Sequence, residues 1–392
     1  MKSRKNLLII LTAALVLIAG LVLTACVGKN AKSATPEPSA PDADGTSAPV
    51  TEPPVTEPPA PTAEPDPDEI VVFSNPVFEQ IIRNDYVYKK DIKRGDLYKI
   101  KELRIPASEL DDISDIAFFP NLTDLSLPSN KITDLSPIAG LTNLTYLSLS
   151  NNPVSDISPL AGLTELVFLD ISSTAVADLE PLAGLTKLQT LDLRASNIID
   201  ISPLAGLTNM TKLDLSENAV FDISALSDMN DLVFLFIYTN KISSLDALSG
   251  MTKLKQLVCY ENRITDIAPV ASLTSLTELN IASNMIADIS PVSGLVALEE
   301  LYMGDNLIFD LSPVASLTNL LGLSFYINYI SDISAVANLK SLRTLEMPYN
   351  RISDITPLLG LKSLSLLYLT GNLLTDAQIA ELAAALPDCY IE

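Results

Sequence analysis

Leu144 to Glu165 reads LTYLSLSNNPVSDISPLAGLTE. With Leu144 as position zero, apolar side chains stand at offsets 0, 3, 5, 10, 13, 16 and 19. The chain restates this 22-residue unit from Leu122, Leu144, Leu166, Leu188, Met210, Leu232, Leu254, Leu276, Leu298, Leu320, Leu342 and Leu364, without one insertion. A degraded copy begins at Ile100. One unit alone cannot bury its apolar face, but stacked units build a continuous core, so self-similarity at this period predicts a solenoid.

Each part of the unit has a physical reason. Leu147 and Leu149 alternate with Tyr146 and Ser148, the period of a short strand with one buried face. Offset 8 then carries Asn152, and equally Asn130, Asn218, Asn240, Asn262, Asn284, Asn306, Asn328, Asn350 and Asn372. A turn residue repeated this strictly predicts an inward amide that bonds the backbone of adjacent turns, since an unpaired buried amide costs about 1–3 kcal/mol. Thr174 and Ser196 replace Asn in two adjacent units, where the ladder should weaken. In the segment DISPLAGL, Ser158 is placed to cap a short helical turn, Pro159 suits its first position, and Gly162 permits the bend into the next strand. The aspartate at offset 12, as in Asp134, Asp156, Asp178, Asp200 and Asp222, reads as a cap for backbone N–H groups rather than a metal ligand.

The period lies in the range of leucine-rich repeats. The pattern LxxLxLxxNxIxDISPLAGLTx over about residues 100–375 resembles the 22-residue repeat of internalins, bacterial surface proteins. The expected fold is an α/β solenoid: a leucine-rich-repeat horseshoe with parallel strands on its concave face. Short 3₁₀ or irregular turns line the convex face, and helical caps close both ends. What the resemblance implies about function is recognition of a macromolecule, with partner and concave residues differing among members.

The remaining segments read in order. Lys2, Arg4 and Lys5 precede the apolar run Leu7 to Ala25. Leu23-Thr24-Ala25-Cys26 resembles a bacterial lipobox, so residues 1–25 are expected to be a lipoprotein signal peptide and Cys26 the lipidated N-terminus. An uncleaved anchor helix is the alternative. Residues 26–68 form a linker, with eleven prolines from Pro36 to Pro67 and no Lys or Arg from Ser33 to Ile82. Such a composition cannot bury a core and favours extended conformations, reaching about 130 Å at about 3.1 Å per residue. Residues 69–99 are expected to cap the first repeat. Asn75-Pro76 opens a short helix with Val77, Ile81 and Ile82 on one face, and Gly95-Asp96 starts another turn through Leu97 and Ile100. Phe78-Glu79 with Ile81 to Arg83 resembles the internalin cap. Residues 376–392 form the second cap: Thr375 or Asp376 starts AQIAELAAAL, Pro387 stops it, and Ile379, Leu382 and Leu386 cover the last repeat.

The net charge of −23 would become three units more negative with the loss of Lys2, Arg4 and Lys5. Nucleic-acid binding needs a basic footprint and is not expected. The chain has no histidine, the commonest general base and metal ligand. No set of nucleophile, base and orienting group is visible, nor a phosphate loop, so no enzyme activity, cofactor or metal is expected. Cys259 takes the core offset of Leu149 and Cys389 lies in the end cap, over 20 Å away at about 4.8 Å per strand, too far for a disulfide.

Two surface sets remain. Leu235 and Ile237 take core offsets, so Phe234, Phe236 and Tyr238 must point outward on the concave side. Val258 and Tyr260 extend the patch, and Tyr302, Tyr326 and Tyr368 continue aromatics at the same outward offsets. Exposed contiguous apolar surface marks interaction sites, and aromatics are enriched at binding hot spots. Mutual cross-strand packing is the competing reading. Asp170, Asp192 and Asp214 share offset 4 and should stack on neighbouring strands, each pair repelling by about 0.8 kcal/mol at about 5 Å in water, with Arg194 and Lys212 nearby. They read as a solvated acidic face or as a dock for a basic group or calcium. The expectation is a monomeric lipoprotein on the extracellular side of a bacterial membrane, binding a protein or glycan through its concave face. A structural envelope spacer without a ligand is the alternative.

Overall fold

The computed structural model describes residues 66–392; Cys26, the expected signal peptide and most of the linker lie outside the described residues. From Glu102 onward, the three-residue strands recur every 22 residues, and fourteen strands pair in parallel in strict chain order. Equal repeat lengths keep the register in phase, so Leu147 faces Leu169, which faces Leu191. Leu144, Leu147, Leu149, Val154, Ile157, Leu160 and Leu163 are all buried, as are their counterparts along the chain, and together they form one core. The sheet remains open, with the strands on the concave wall and 3₁₀ turns on the convex one.

The chain leaves each strand through a left-handed residue at offset 7, such as Asn151 at φ 55° or Glu261 at φ 53°. This reversal sends the offset-8 asparagine inward. Asn262 is representative: Nδ2 donates to the carbonyls of Ile237 and Cys259 at 2.9 and 3.1 Å, and Oδ1 accepts from Ile242 N–H at 3.0 Å. Each asparagine thus joins its own turn to the preceding one.

The convex turn corrects one detail. Ser158 does not cap it; Asp156 Oδ1 accepts the Ser158 N–H at 2.8 Å, and Ser158 is the first residue of the 3₁₀ turn. The N–H and hydroxyl of Ser158 hold the Asp156 carboxyl below the usual carboxylate range. Gly162 is not needed for its backbone angle either. It lies outside the left-handed region, and a Cβ there would meet only Ala139 O at 4.0 Å.

At the N-terminal end, Asn75 Oδ1 accepts from Val77 and Phe78 N–H, starting the helix Pro76–Ile81. A π turn, Ile82–Tyr86, follows. The buried face is Phe78 and Ile82, four residues apart; Val77, expected there, is 48% exposed. Phe78 meets Phe119 edge-on at 5.9 Å, and the buried Asp115 carboxylate accepts the N–H groups of Ser74 and Asn75. At the other end, Thr375 and Gln378 form a capping box for the helix Asp376–Ala385, which buries Leu382. The chain then adds Tyr390–Ile391 as a last strand on Leu366–Tyr368, within the segment 376–392 expected to be a helical cap. Cys259 is buried, its thiol pushed up to about 12 by desolvation, and both Cys259 and Cys389 are free.

Candidate ligand-binding face

Side chains at offsets 2, 4 and 6 line the concave wall because offsets 3 and 5 are committed to the core. Strand Phe234–Phe236 has the pattern exposed, buried, half-buried. Its register sets Lys212 beside Phe234, and Asp214 beside Phe236. Lys212 Nζ lies 5.7 Å from the Phe236 ring centroid, within cation–π range. Tyr238 and Tyr260 stack, with centroids 4.6 Å apart and planes 7° from parallel. Burial pushes the Tyr260 phenol up to about 12, with Tyr238, Glu261 and Glu217 adding to the shift, so it stays a neutral hydrogen-bonding group. Phe234 is 39% exposed. Val258, expected to widen the patch, is only 7% exposed and offers almost no surface.

The aromatics do not run on as one band. Glu278, Asn280 and Ala282 stand between Tyr260 and the next tyrosines. Tyr302 donates its hydroxyl to Glu300 Oε2 at 3.0 Å. The Tyr326 ring lies over Gly304, where a Cβ would stand 2.1 Å from Cε1, so the glycine makes the room the ring takes. Tyr368 pairs edge-on with Tyr390 at 6.4 Å, at the far end of the sheet.

Asp170, Asp192 and Asp214 do stack in register on adjacent strands. Each carboxylate turns back onto the N–H two residues ahead, of Ser172, Arg194 and Ser216. Asp192, the middle one, is pushed up to about 6 chiefly by burial, then by Asp214 and Asp170; the Arg194 N–H and Lys212 act the other way. Among the described residues, no group of three or more carboxylates or cysteines converges closely enough to hold a metal ion.

Two features escaped the sequence reading. Tyr146 and Phe168 stack at 4.2 Å and 5°, Phe168 on the strand that carries Asp170 and Tyr146 on the strand before it; their shared offset 2 was the signal. Beside the asparagine ladder, Leu307, Ile327, Tyr329 and Tyr349 line a cleft together with Asp305 and ladder asparagines. Ile327 is 43% exposed and holds φ 46°, which a β-branched residue rarely adopts.

A sheet of identical parallel strands, an inward asparagine ladder and 3₁₀ turns at a fixed 22-residue period define a leucine-rich-repeat protein. The family model "Leucine Rich repeats (2 copies)" matches residues 120–162, 164–206, 252–294 and 274–316. The chain belongs to the internalin family: it is 34% identical to an internalin, InlF, from Listeria monocytogenes, over 81% of this chain and 95% of that one, with a TM-score of 0.78. It shares the fold of the Leptospira interrogans LRR protein LIC12759 at 24% identity and TM-score 0.69, over 78% of this chain and 86% of that one. It also shares the fold of the InlJ functional domain from Listeria monocytogenes at 24% identity and TM-score 0.65, over 77% of this chain and 64% of that one. No curated protein matches the chain significantly.

Proposed function

We propose that this protein is a bacterial surface lipoprotein that binds a macromolecular ligand, a protein or a glycan, without catalysis through its concave face. Cys26 would carry the lipid, and residues 26–68 would hold the repeats away from the membrane as a monomeric display on the extracellular side. The observation that carries the reading is the pairing of half-exposed Phe234 and Phe236 with the Tyr238–Tyr260 stack on two adjacent strands. Their alternation with core leucines leaves them no interior to enter, and nearby Lys212 and Asp214 give the patch a polar rim. The Tyr238–Tyr260 contact also favours a second reading, a ligand-free envelope spacer, since each ring already covers its neighbour.

The test is the double variant Phe236→Ser with Tyr260→Ser in the full chain. Truncating a hot-spot aromatic costs at least about 2 kcal/mol, some thirtyfold in affinity, so the pair should abolish capture of the ligand that the wild-type protein retains in a pull-down. The circular-dichroism spectrum should be unchanged. Wild-type affinity in the double variant would move the site elsewhere, and unfolding would favour the spacer.

A further inference from the structure

The concave wall changes its charge balance along its length. Arg194 and Lys212 stand among the aspartates of the middle strands, but no Lys or Arg occupies offset 2, 4 or 6 from Phe234 to the last strand. Glu278, Glu300 and Glu346 all stand there, each half-buried and in no ion pair among the described residues. Gln256 Nε2 donates to Glu278 at 2.8 Å, and the Tyr302 hydroxyl donates to Glu300 at 3.0 Å, so two of the three have neutral donors. Among the described residues, no side chain donates to Glu346, unlike Glu278 and Glu300.

Gly322 shapes the site. A Cβ on it would stand 1.8 Å from Glu300 Oε2, so the missing side chain lets the Glu300 carboxylate lie over strand Gly322–Ser324, the strand that separates it from Glu346. Ser324 lies between Tyr302 and Glu346 in the register. Its neighbours Leu323 and Phe325 are in the core, so its side chain faces the concave wall. Ser324 is 2% exposed, and its Oγ has no hydrogen-bond partner. A buried hydroxyl left without a partner is uncommon and calls for an explanation. Burial and the Glu300 hydrogen bond raise the Tyr302 phenol well above its ordinary value, and the charges of Glu300, Glu278 and Glu346 push it the same way.

We infer that Glu300, Glu346 and the Ser324 hydroxyl, walled by Tyr302 and Tyr326, form a receptor for one arginine side chain of the protein partner. This rests on the concave-face reading and names the chemistry of its ligand. The donors and the ligand match: a guanidinium carries five N–H donors in a planar fork and stacks on aromatic rings. Two carboxylates and a hydroxyl on neighbouring strands are acceptors for such a fork, and the absence of a local cation leaves them to the partner.

The probe is a fluorescein-labelled Gly-Ser-Gly-Arg-Gly-Ser-Gly peptide, with lysine and citrulline counterparts, titrated onto the full chain by fluorescence anisotropy. The arginine peptide should bind most tightly and the citrulline peptide, neutral but alike in shape, at least about tenfold more weakly. Glu300→Gln with Glu346→Gln should weaken arginine binding by at least about tenfold, and Ser324→Ala by severalfold. Glu381→Gln, an exposed carboxylate on the C-terminal helix, should leave it unchanged. Equal loss in Glu381→Gln, or equal binding of the citrulline peptide, would reduce the effect to the protein's net charge and overturn the site. If the glutamine pair shifts the melting midpoint, Glu346→Gln alone decides by the same criterion. Arginine binding that depends on Glu300 and Glu346, beside ligand capture indifferent to Phe236 and Tyr260, would keep this site and remove the aromatic one. The reverse pattern would keep the concave reading and remove the arginine receptor.

Discussion

Thr174 Oγ1 and Ser196 Oγ stand 3.5 Å apart in the buried row that asparagine occupies in ten other repeats. Both hydroxyls donate to the same carbonyl, Ile171 O, at 2.8 and 3.2 Å. Neither reaches the backbone N–H that an asparagine there would serve. The N–H groups of Val154 and Val176, which correspond to Ile242 beside Asn262, find no acceptor among the described residues. The ladder is interrupted for two consecutive rungs.

Restoring it should stabilise the protein. Thr174→Asn would offer Oδ1 to Val154 N–H and Nδ2 to Leu149 O, as the regular rungs do. One satisfied buried N–H should add about 1 kcal/mol, read as a higher urea midpoint. A midpoint below the wild-type value would mean that the threonine methyl fills space the amide cannot.

Removing a regular rung should do the opposite. Asn262→Ala strips partners from Ile237 O, Cys259 O and Ile242 N–H. The expected loss is about 1–3 kcal/mol, measured by thermal melting followed by circular dichroism. An unchanged melting curve would show that water serves these groups equally well.

Asp192 gives the concave face a pH dependence. Its folded-state pKa of about 6 lies above the unfolded value of 3.8, so the folded protein binds the proton more tightly. Stability is therefore fully held below the unfolded pKa and falls as pH rises through about 6. Asp192→Asn keeps the acceptor for Arg194 N–H and removes the charge. It should stabilise by about 1 kcal/mol at pH 7.5, after allowance for solvent screening, and by nothing at pH 3.5. Equal melting midpoints of variant and wild type at pH 7.5 would count against burial of that charge.

The proposed lipid anchor at Cys26 has its own test. Metabolic labelling with an alkyne fatty acid should tag the wild-type protein expressed in a bacterium, and Cys26→Ala should abolish the tag. Label retained in the variant would sink the lipobox reading and favour an apolar anchor helix.

Period, register and core were legible from the chain alone, because each follows from local spacing. Apolar offsets 3 and 5 dictate which strand face is buried, and one asparagine per 22 residues dictates an inward ladder. Phe234 and Phe236 were visible as outward aromatics for the same reason: a period of two allows no other direction. What spacing cannot express is depth and reach across strands. Only the stacked structure shows that Val258 is covered and that Tyr302 and Tyr326 are parted from the Phe236 patch by a polar strand. It alone shows the Glu300 carboxylate lying over Gly322 and the Ser324 hydroxyl left without a partner. Those relationships join residues 22 or more positions apart, and their geometry depends on how long side chains settle against a neighbouring strand.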